Sequence, residues 1–300
     1  MKLGRKDYTI SVKTGTDANK AKFKKECVQG EIYHATDTGF FYIAEVSAGA
    51  SDATLSKFGA TPFTNQYSVS FDGTDDMITI PQGTFNLGTG NWTFSFWFRP
   101  TGITSTSETI FMVKGTSGKY LAGFIQSGAF MLSDWNNTTL SYSTTLADNT
   151  WYHGAYIKNG SGSTDLHLYL NGTKVLEGNH PVTSDYGNDT ATTRIGEIQT
   201  IGSYSFPFQG QIDEFAFWNS ALSDGGVSVG SPAQGDIANI YNSGVPNDIG
   251  TNGLNLNPVG WWRMGDGTEA GSGTTVYDMS SNSNNGTLTN GPTFSTTVPS

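Results

Sequence analysis

NWTFSFWFRP, residues 91–100, is the stretch that decides the fold. Trp92, Phe94, Phe96 and Phe98 alternate with Thr93, Ser95 and Trp97, the period of two that sends successive side chains to opposite faces of a strand. One face is strongly apolar, and Trp97 places a further aromatic on the reverse. Working outward, Leu166, Leu168 and Leu170 alternate with His167 and Tyr169, and Asn171-Gly172 then turns the chain into residues 173–176 through a type I′ hairpin. Similar runs at 110–114, 120–125, 151–158, 193–196 and 212–218 are too many for one flat sheet. The expectation is an all-β chain in which two antiparallel sheets pack face to face and bury the alternating aromatics. Each large ring so buried is worth about 1.5 to 3 kcal/mol, so Phe96→Asp should unfold the protein. One short helix is expected over 236–242, with Asp236 as its N-cap and Gly244 beyond its end.

Composition agrees. With 38 Gly, 13% aromatic and only 14% charged residues, the chain reads as short strands joined by tight turns. The net charge of −10 is unevenly spread, since eight of the 16 basic residues lie in the first 25 positions. The remainder should repel nucleic acid, while the basic arm suits an acidic surface. Cys27 is the only cysteine, so no disulfide forms within the chain. No apolar run has the length of a secretory leader near the start or of a membrane span elsewhere, so no membrane partner is expected.

Four stretches together resemble the laminin G-like, concanavalin A-type jelly roll. They are YSVSFDGTDDMITIP (67–81), the strand at 91–100, NTWYHGAYIKNGSGSTDLHLYLNGTKV (149–175) and FQGQIDEFAFWNSALS (208–223). PVGWWRMGDGTEAGSGTTVYDMSSNSNNGTLTNGPTF (258–294) resembles the opening of such a domain, yet follows the strands it normally precedes. Because the ends of a sandwich can lie side by side, the expectation is that a permuted segment supplies the missing edge strands. The chain then divides into a basic arm and hairpin at 1–62, the jelly roll at 63–250 and a completing segment at 251–300.

Within the first part, GEIYHATDTGFFYIAEV (30–46) reads as a β-hairpin with Gly39 in its loop. A lone hairpin buries too little to stand by itself and should dock. It is also similar to a segment of tailed-phage structural proteins. That resemblance implies a virion protein at the particle surface, with Lys2, Arg5, Lys6, Tyr33, Phe40, Phe41 and Tyr42 as docking residues. Its partners would be other capsid or tail proteins, and a homo-oligomer is expected.

Three constellations could carry chemistry. Asp72, Asp75 and Asp76 share one turn, Asp213 and Glu214 share a strand, and Asp278 opens an oxygen-rich loop ending at Gly286; calcium takes such hard oxygens, although Asp and Asn equally cap turns. The resemblance implies a structural calcium at Asp213 with Asp72. Trp135 and Asn136 in one loop, and Tyr204 and Phe206 in another, combine rings with polar groups as a sugar platform does. Catalysis is not expected: hydrolases of this type need paired carboxylates, and the corresponding run begins with the amide Gln211. His34, His153, His167 and His180 are scattered without metal or triad spacing. The function expected is a non-enzymatic capsid decoration or head appendage displaying a lectin-like jelly roll toward a surface glycan. A tail fibre or a free carbohydrate-binding module is the alternative.

Overall fold

The computed structural model describes residues 12–15, 32–35, 41–44, 55–58, 63–103, 107–115, 120–133, 139–160, 165–178, 193–197, 206–250 and 253–300. The chain forms two compact units, Met1–Phe63 with Thr251–Asn255, and Thr64–Gly250 with Leu256–Ser300. The first contains a four-stranded sheet in chain order: β1 (Val12–Gly15), β2 (Ile32–Ala35), β3 (Phe41–Ala44) and β4 (Leu55–Phe58). β2 and β3 are the expected hairpin, antiparallel with Tyr33 opposite Tyr42. It is not a lone hairpin, because β4 extends it on one side and β1 runs parallel to β2 on the other. Those flanking strands have four residues each, too few to show an alternation in the sequence.

The second unit is the sandwich. Its strands are β5 (Ser68–Asp72), β6 (Met77–Ile80), β7 (Trp92–Pro100), β8 (Ser107–Lys114), β9 (Tyr120–Gln126), β10 (Ala129–Ser133), β11 (Thr139–Tyr142) and β12 (Tyr152–Lys158). They continue with β13 (Leu166–Leu170), β14 (Thr173–Gly178), β15 (Thr193–Ile195), β16 (Gln209–Trp218), helix α1 (Gly235–Tyr241), β17 (Gly260–Trp262), β18 (Thr275–Val276), β19 (Gly286–Thr289) and β20 (Thr293–Ser295). Sheet one has the order β11-β10-β9-β8-β15-β6-β19-β18, and sheet two β14-β13-β12-β7-β16-β5-β20 with β17 branching from β16. Strands from the carboxyl-terminal stretch therefore sit at one edge of each sheet. The Asn171-Gly172 turn has φ of 48° and 70°, the positive pair a type I′ hairpin requires.

The aromatics of β7 organise the interior. Phe94, Phe96 and Phe98 are wholly buried between the sheets, with Phe94 stacked on Phe111 at 4.6 Å and Phe98 on Phe130 at 5.6 Å. Two strand glycines make room for them. A Cβ at Gly154 would stand 2.7 Å from the Phe96 ring and 2.8 Å from that of Phe130, and one at Gly123 would stand 2.6 Å from Phe111. The helix differs from the expectation at its N-cap. Gln234 is its N-cap and makes no side-chain cap bond, while Asn242, left-handed at φ 45°, closes it ahead of Gly244. Asp236 lies inside the first turn, where its carboxylate accepts the Ser223 N–H at 2.9 Å and ties the helix to the preceding loop.

Candidate functional site

A sandwich has two outward faces, and in this chain residues of both are buried. The segment 219–250, which includes α1, lies across sheet two as a strap. Tyr241 of α1 stacks on Trp97, and Ser231 accepts the Lys174 N–H at 3.0 Å. The strap's Asp224 receives the buried Tyr169 hydroxyl, His167 Nδ1 at 2.9 Å and Lys174 Nζ at 3.3 Å. Burial opposes that charge, but the Tyr169 hydroxyl, the Gly226 N–H, Lys174 and His167 outweigh it and hold the Asp224 carboxyl at about 2. Beneath the strap His153 is fully buried, its Nε2 2.9 Å from Ser95 Oγ, and burial depresses it to about 3, so it stays neutral. Ser95, Trp97, Glu214, Ile240, Pro246, Asn247 and Ile249 line a small pocket here.

Sheet one's outward face is built differently. The register aligns Thr287, Thr79, Arg194, Met112, Ala122 and Ser133 in one row across six strands. Phe124 and Met131 are paired in the adjoining row, and Lys114 stands opposite Tyr120 on the other side. Met112, Ala122, Phe124 and Met131 form an apolar cluster separate from the main core and are themselves buried, as is Ser133, so the middle of this face is covered; Tyr120, Ala129 and Phe206 pack against the cluster and are only partly buried. What this face leaves partly exposed is its margin, where Tyr120, Lys114, Arg194 and Thr79 lie on neighbouring strands. Sugars take this mixture, their C–H faces lying on rings and their hydroxyls on polar groups.

The second constellation lies where β16 changes partner. Up to Ile212 it pairs with β5, from Phe215 it pairs with β17, and a bulge between them puts Glu214 at φ 47°. Strain of this kind clusters at sites and bulges re-aim side chains. In the fork, Asp213 is wholly buried, with Oδ2 accepting Asn65 Nδ2 and Oδ1 accepting the Glu214 N–H. Glu214 accepts Trp261 Nε1 at 2.6 Å and Arg263 Nε at 3.0 Å, and Asp266 accepts the Gln66 N–H at 2.8 Å. Burial, with the neighbouring Glu214 charge adding to it, pushes Asp213 far up. Burial likewise lifts Glu214 to about 7 against the pull of Arg263, and raises Asp266. Glu214 and Asp266 share the Arg263 guanidinium, while Asp213 beside them has no cation partner among the described residues, so the cluster favours a further positive charge.

The hard oxygens that a calcium ion takes lie in two separate groups. Asn65 Oδ1 is buried without a partner, and that amide turned over would set a hard oxygen beside Asp213 Oδ2. Asp72 is not part of this group. It stands opposite Gln209, four residues from Asp213 along β16 and so about 13 Å away, and the pairing expected of the two does not form. Asp72 instead gathers with Asp75 and Asp76, their oxygens within 4.8 Å, where Asp76 accepts the Asp72 N–H and Asp72 the Thr74 N–H. Asp278 accepts the N–H groups of Trp261, Ser280 and Asn284 and the Ser280 hydroxyl, which is the work of a turn cap.

Of the sugar-platform residues, Phe206 is half-buried against the outward cluster of sheet one, and its carbonyl accepts the Thr109 N–H. Trp135, Asn136 and Tyr204 lie outside the described residues, as do Lys2, Arg5, Lys6 and Phe40. Tyr33 falls on β2, and Phe41 and Tyr42 on β3, which pair with each other. Arg194, Lys114, Tyr120 and Asn65 escaped the sequence reading. The alternation of β8 and β9 could have placed Lys114 and Tyr120 on one face, but only the register brings Arg194 beside them.

The family described as "Concanavalin A-like lectin/glucanases superfamily" matches residues 72–228, just over half of the chain. Among solved structures, a candidate carbohydrate-binding protein from Bacteroides ovatus has a TM-score of 0.55 at 18% identity, covering 91% of this chain and 71% of that one. The heptameric SAP-like pentraxin of Limulus polyphemus has a TM-score of 0.42 at 18% identity, covering 53% and 78%. The CBM40 of the Ruminococcus gnavus IT-sialidase has 0.41 at 14%, covering 53% and 92%. At these identities the likeness is one of fold. No curated protein matches the sequence.

Proposed function

As the chain belongs to the concanavalin A-like lectin/glucanases superfamily, we propose that it is a non-enzymatic, carbohydrate-binding attachment protein whose sandwich meets a polysaccharide with the outward face of sheet one. The observation that carries this reading is the partly exposed margin of sheet one's outward face. There the ring of Tyr120 is partly exposed beside Lys114, with Arg194 and Thr79 on the neighbouring strands, while the strap occupies sheet two. The non-catalytic part is supported by Glu214, whose two oxygens are taken by Trp261 and Arg263, and by the amide at Gln211. A calcium ion at the fork would be held by Asp213 and Asn65 and would supply rigidity by balancing the carboxyl charge. The test is retention of the full chain on a panel of polysaccharides, with Tyr120→Ala as the probe. Selective binding that weakens in the variant is the expected result; turnover of any polysaccharide, or no retention on any, contradicts it.

Placement of the protein on a phage particle is part of the proposal and rests on the amino-terminal likeness together with the basic arm. In this reading residues 1–62 dock on capsid proteins, copies of the chain assemble together, and the sandwich faces outward at the virion surface. A tail-fibre position comes second. Deleting residues 1–30 should abolish incorporation into particles while glycan retention persists. Unimpaired incorporation would favour a free carbohydrate-binding module.

A further inference from the structure

Residues 64–300 carry seven Lys and Arg against nineteen Asp and Glu, a net charge of −12. Such a body repels polyanions unless its few cations are arranged to meet them. Six of the seven lie among the described residues, and five of those have internal hydrogen-bond or ion-pair partners. Arg99 donates to Gln211 Oε1 and the Asn149 carbonyl, and Lys158 Nζ to the carbonyls of Thr89 and Gly90. Lys174 pairs with Asp224 and Glu177, and Arg263 with Glu214 and Asp266.

The fifth, Arg194, is a neighbour of the sixth, Lys114. Arg194 stands opposite Met112, and Lys114 is two residues further along β8, a diagonal pair about 7 to 8 Å apart. Lys114 Nζ lies 5.6 Å from the centroid of the Tyr120 ring and has no carboxylate partner among the described residues. Arg194 gives one amine to Glu197 at 3.3 Å, but its Nε is buried and unpartnered. On the far side of Arg194 stands Thr79, another hydroxyl donor and acceptor.

We propose that this corner of sheet one recognises the acidic sugar units of an anionic polysaccharide, a carboxylate or sulfate seated between Lys114 and Arg194 with the sugar ring against Tyr120. The inference rests on the polysaccharide reading of the same face. Arg194 supplies directional donors and Lys114 a mobile point charge, a combination that holds one anionic group on a ring-bearing ligand. Dense polyphosphates are disfavoured by the charge of the surrounding body and by Glu197 beside Arg194.

The experiment measures the affinity of the full chain for polygalacturonate, chondroitin sulfate and neutral dextran at low and high salt, for the wild type, Lys114→Gln and Arg194→Gln. At least one anionic polymer should bind about tenfold tighter than dextran, the fold-change one charged hydrogen bond supplies, and added salt should erode the difference. Which polymer responds separates carboxylate from sulfate. Lys114→Gln should lose about as much with its Tm unchanged, since Lys114 makes no internal ion pair, and Arg194→Lys should retain part of what Arg194→Gln loses. Dextran binding as tightly as both polyanions, or Lys114→Gln leaving both unaffected, overturns the inference. Dextran retention that Tyr120→Ala abolishes and Lys114→Gln does not would sink it while sparing the broader function. Failure to bind any polymer sinks both.

Discussion

Glu108 shows at the scale of one residue how local geometry decides chemistry. It is 5% exposed near the start of β8, where its carboxylate lies 3.4 Å from the Gln209 N–H. Burial, opposed by that N–H and assisted by nearby Asp148, pushes its carboxyl up to about 7. A carboxyl whose folded pKa is raised stabilises the fold while protonated, so its contribution is complete below about 4.3 and is lost as pH rises through about 7. Glu108→Gln should therefore raise Tm at pH 8 and leave it nearly unchanged at pH 4, as a melting series across that range would record. Equal effects at both ends would contradict the assignment. Strict alternation back from Phe111 puts Glu108 outside, but a bulge between Thr109 and Phe111 turns it toward the interior side, opposite the core residue Ile125. The same failure hid the direction of Asp213: counting by twos from Phe215 sends it inward, and the bulge at the fork turns it out beside Trp97. Single extra residues leave no mark in composition, so the acid cluster was legible only as an Asp-Glu pair.

Elements were read better than residues because alternation reports faces directly. The β7 aromatics were expected to zip two layers together, and they do, with Trp97 left on the reverse to meet α1. The Asn-Gly turn was also legible, since few residues accept positive φ twice in succession. Gly154 was not, as a glycine within a strand has several explanations until the rings beside it are seen. It now makes a specific prediction. Gly154→Val would drive a branched side chain into Phe96 and Phe130 and should cost about 1 to 3 kcal/mol or more, seen as a lower urea midpoint with an unchanged slope. A midpoint equal to the wild type would mean that these strands pack more loosely than described. The strap escaped the reading for the opposite reason, because a seven-residue helix and a run of turns carry no periodic signal that reveals which face they cover.

For the whole molecule, the displaced carboxyl-terminal stretch has the clearest consequence. β18, β19 and β20 extend both sheets, and Trp262, Met264 and Val276 join the main core. A chain ending at residue 250 should lose the cooperative melting transition, because it uncovers β5 and β6 and leaves the Trp262 space empty. Retention of native near-ultraviolet dichroism in that truncation would show the segment to be dispensable. Charge is the other property of this scale: an acidic sandwich that sets Lys114 and Arg194 together on one face has a preferred side. That preference is tested most directly by amide hydrogen exchange of the full chain with and without the polysaccharide that the panel selects. The account predicts slowed exchange over Ser107–Lys114, Tyr120–Gln126 and Thr193–Ile195, with residues 219–250 unchanged. Protection confined to the strap, or a panel that selects no polysaccharide at all, would contradict it.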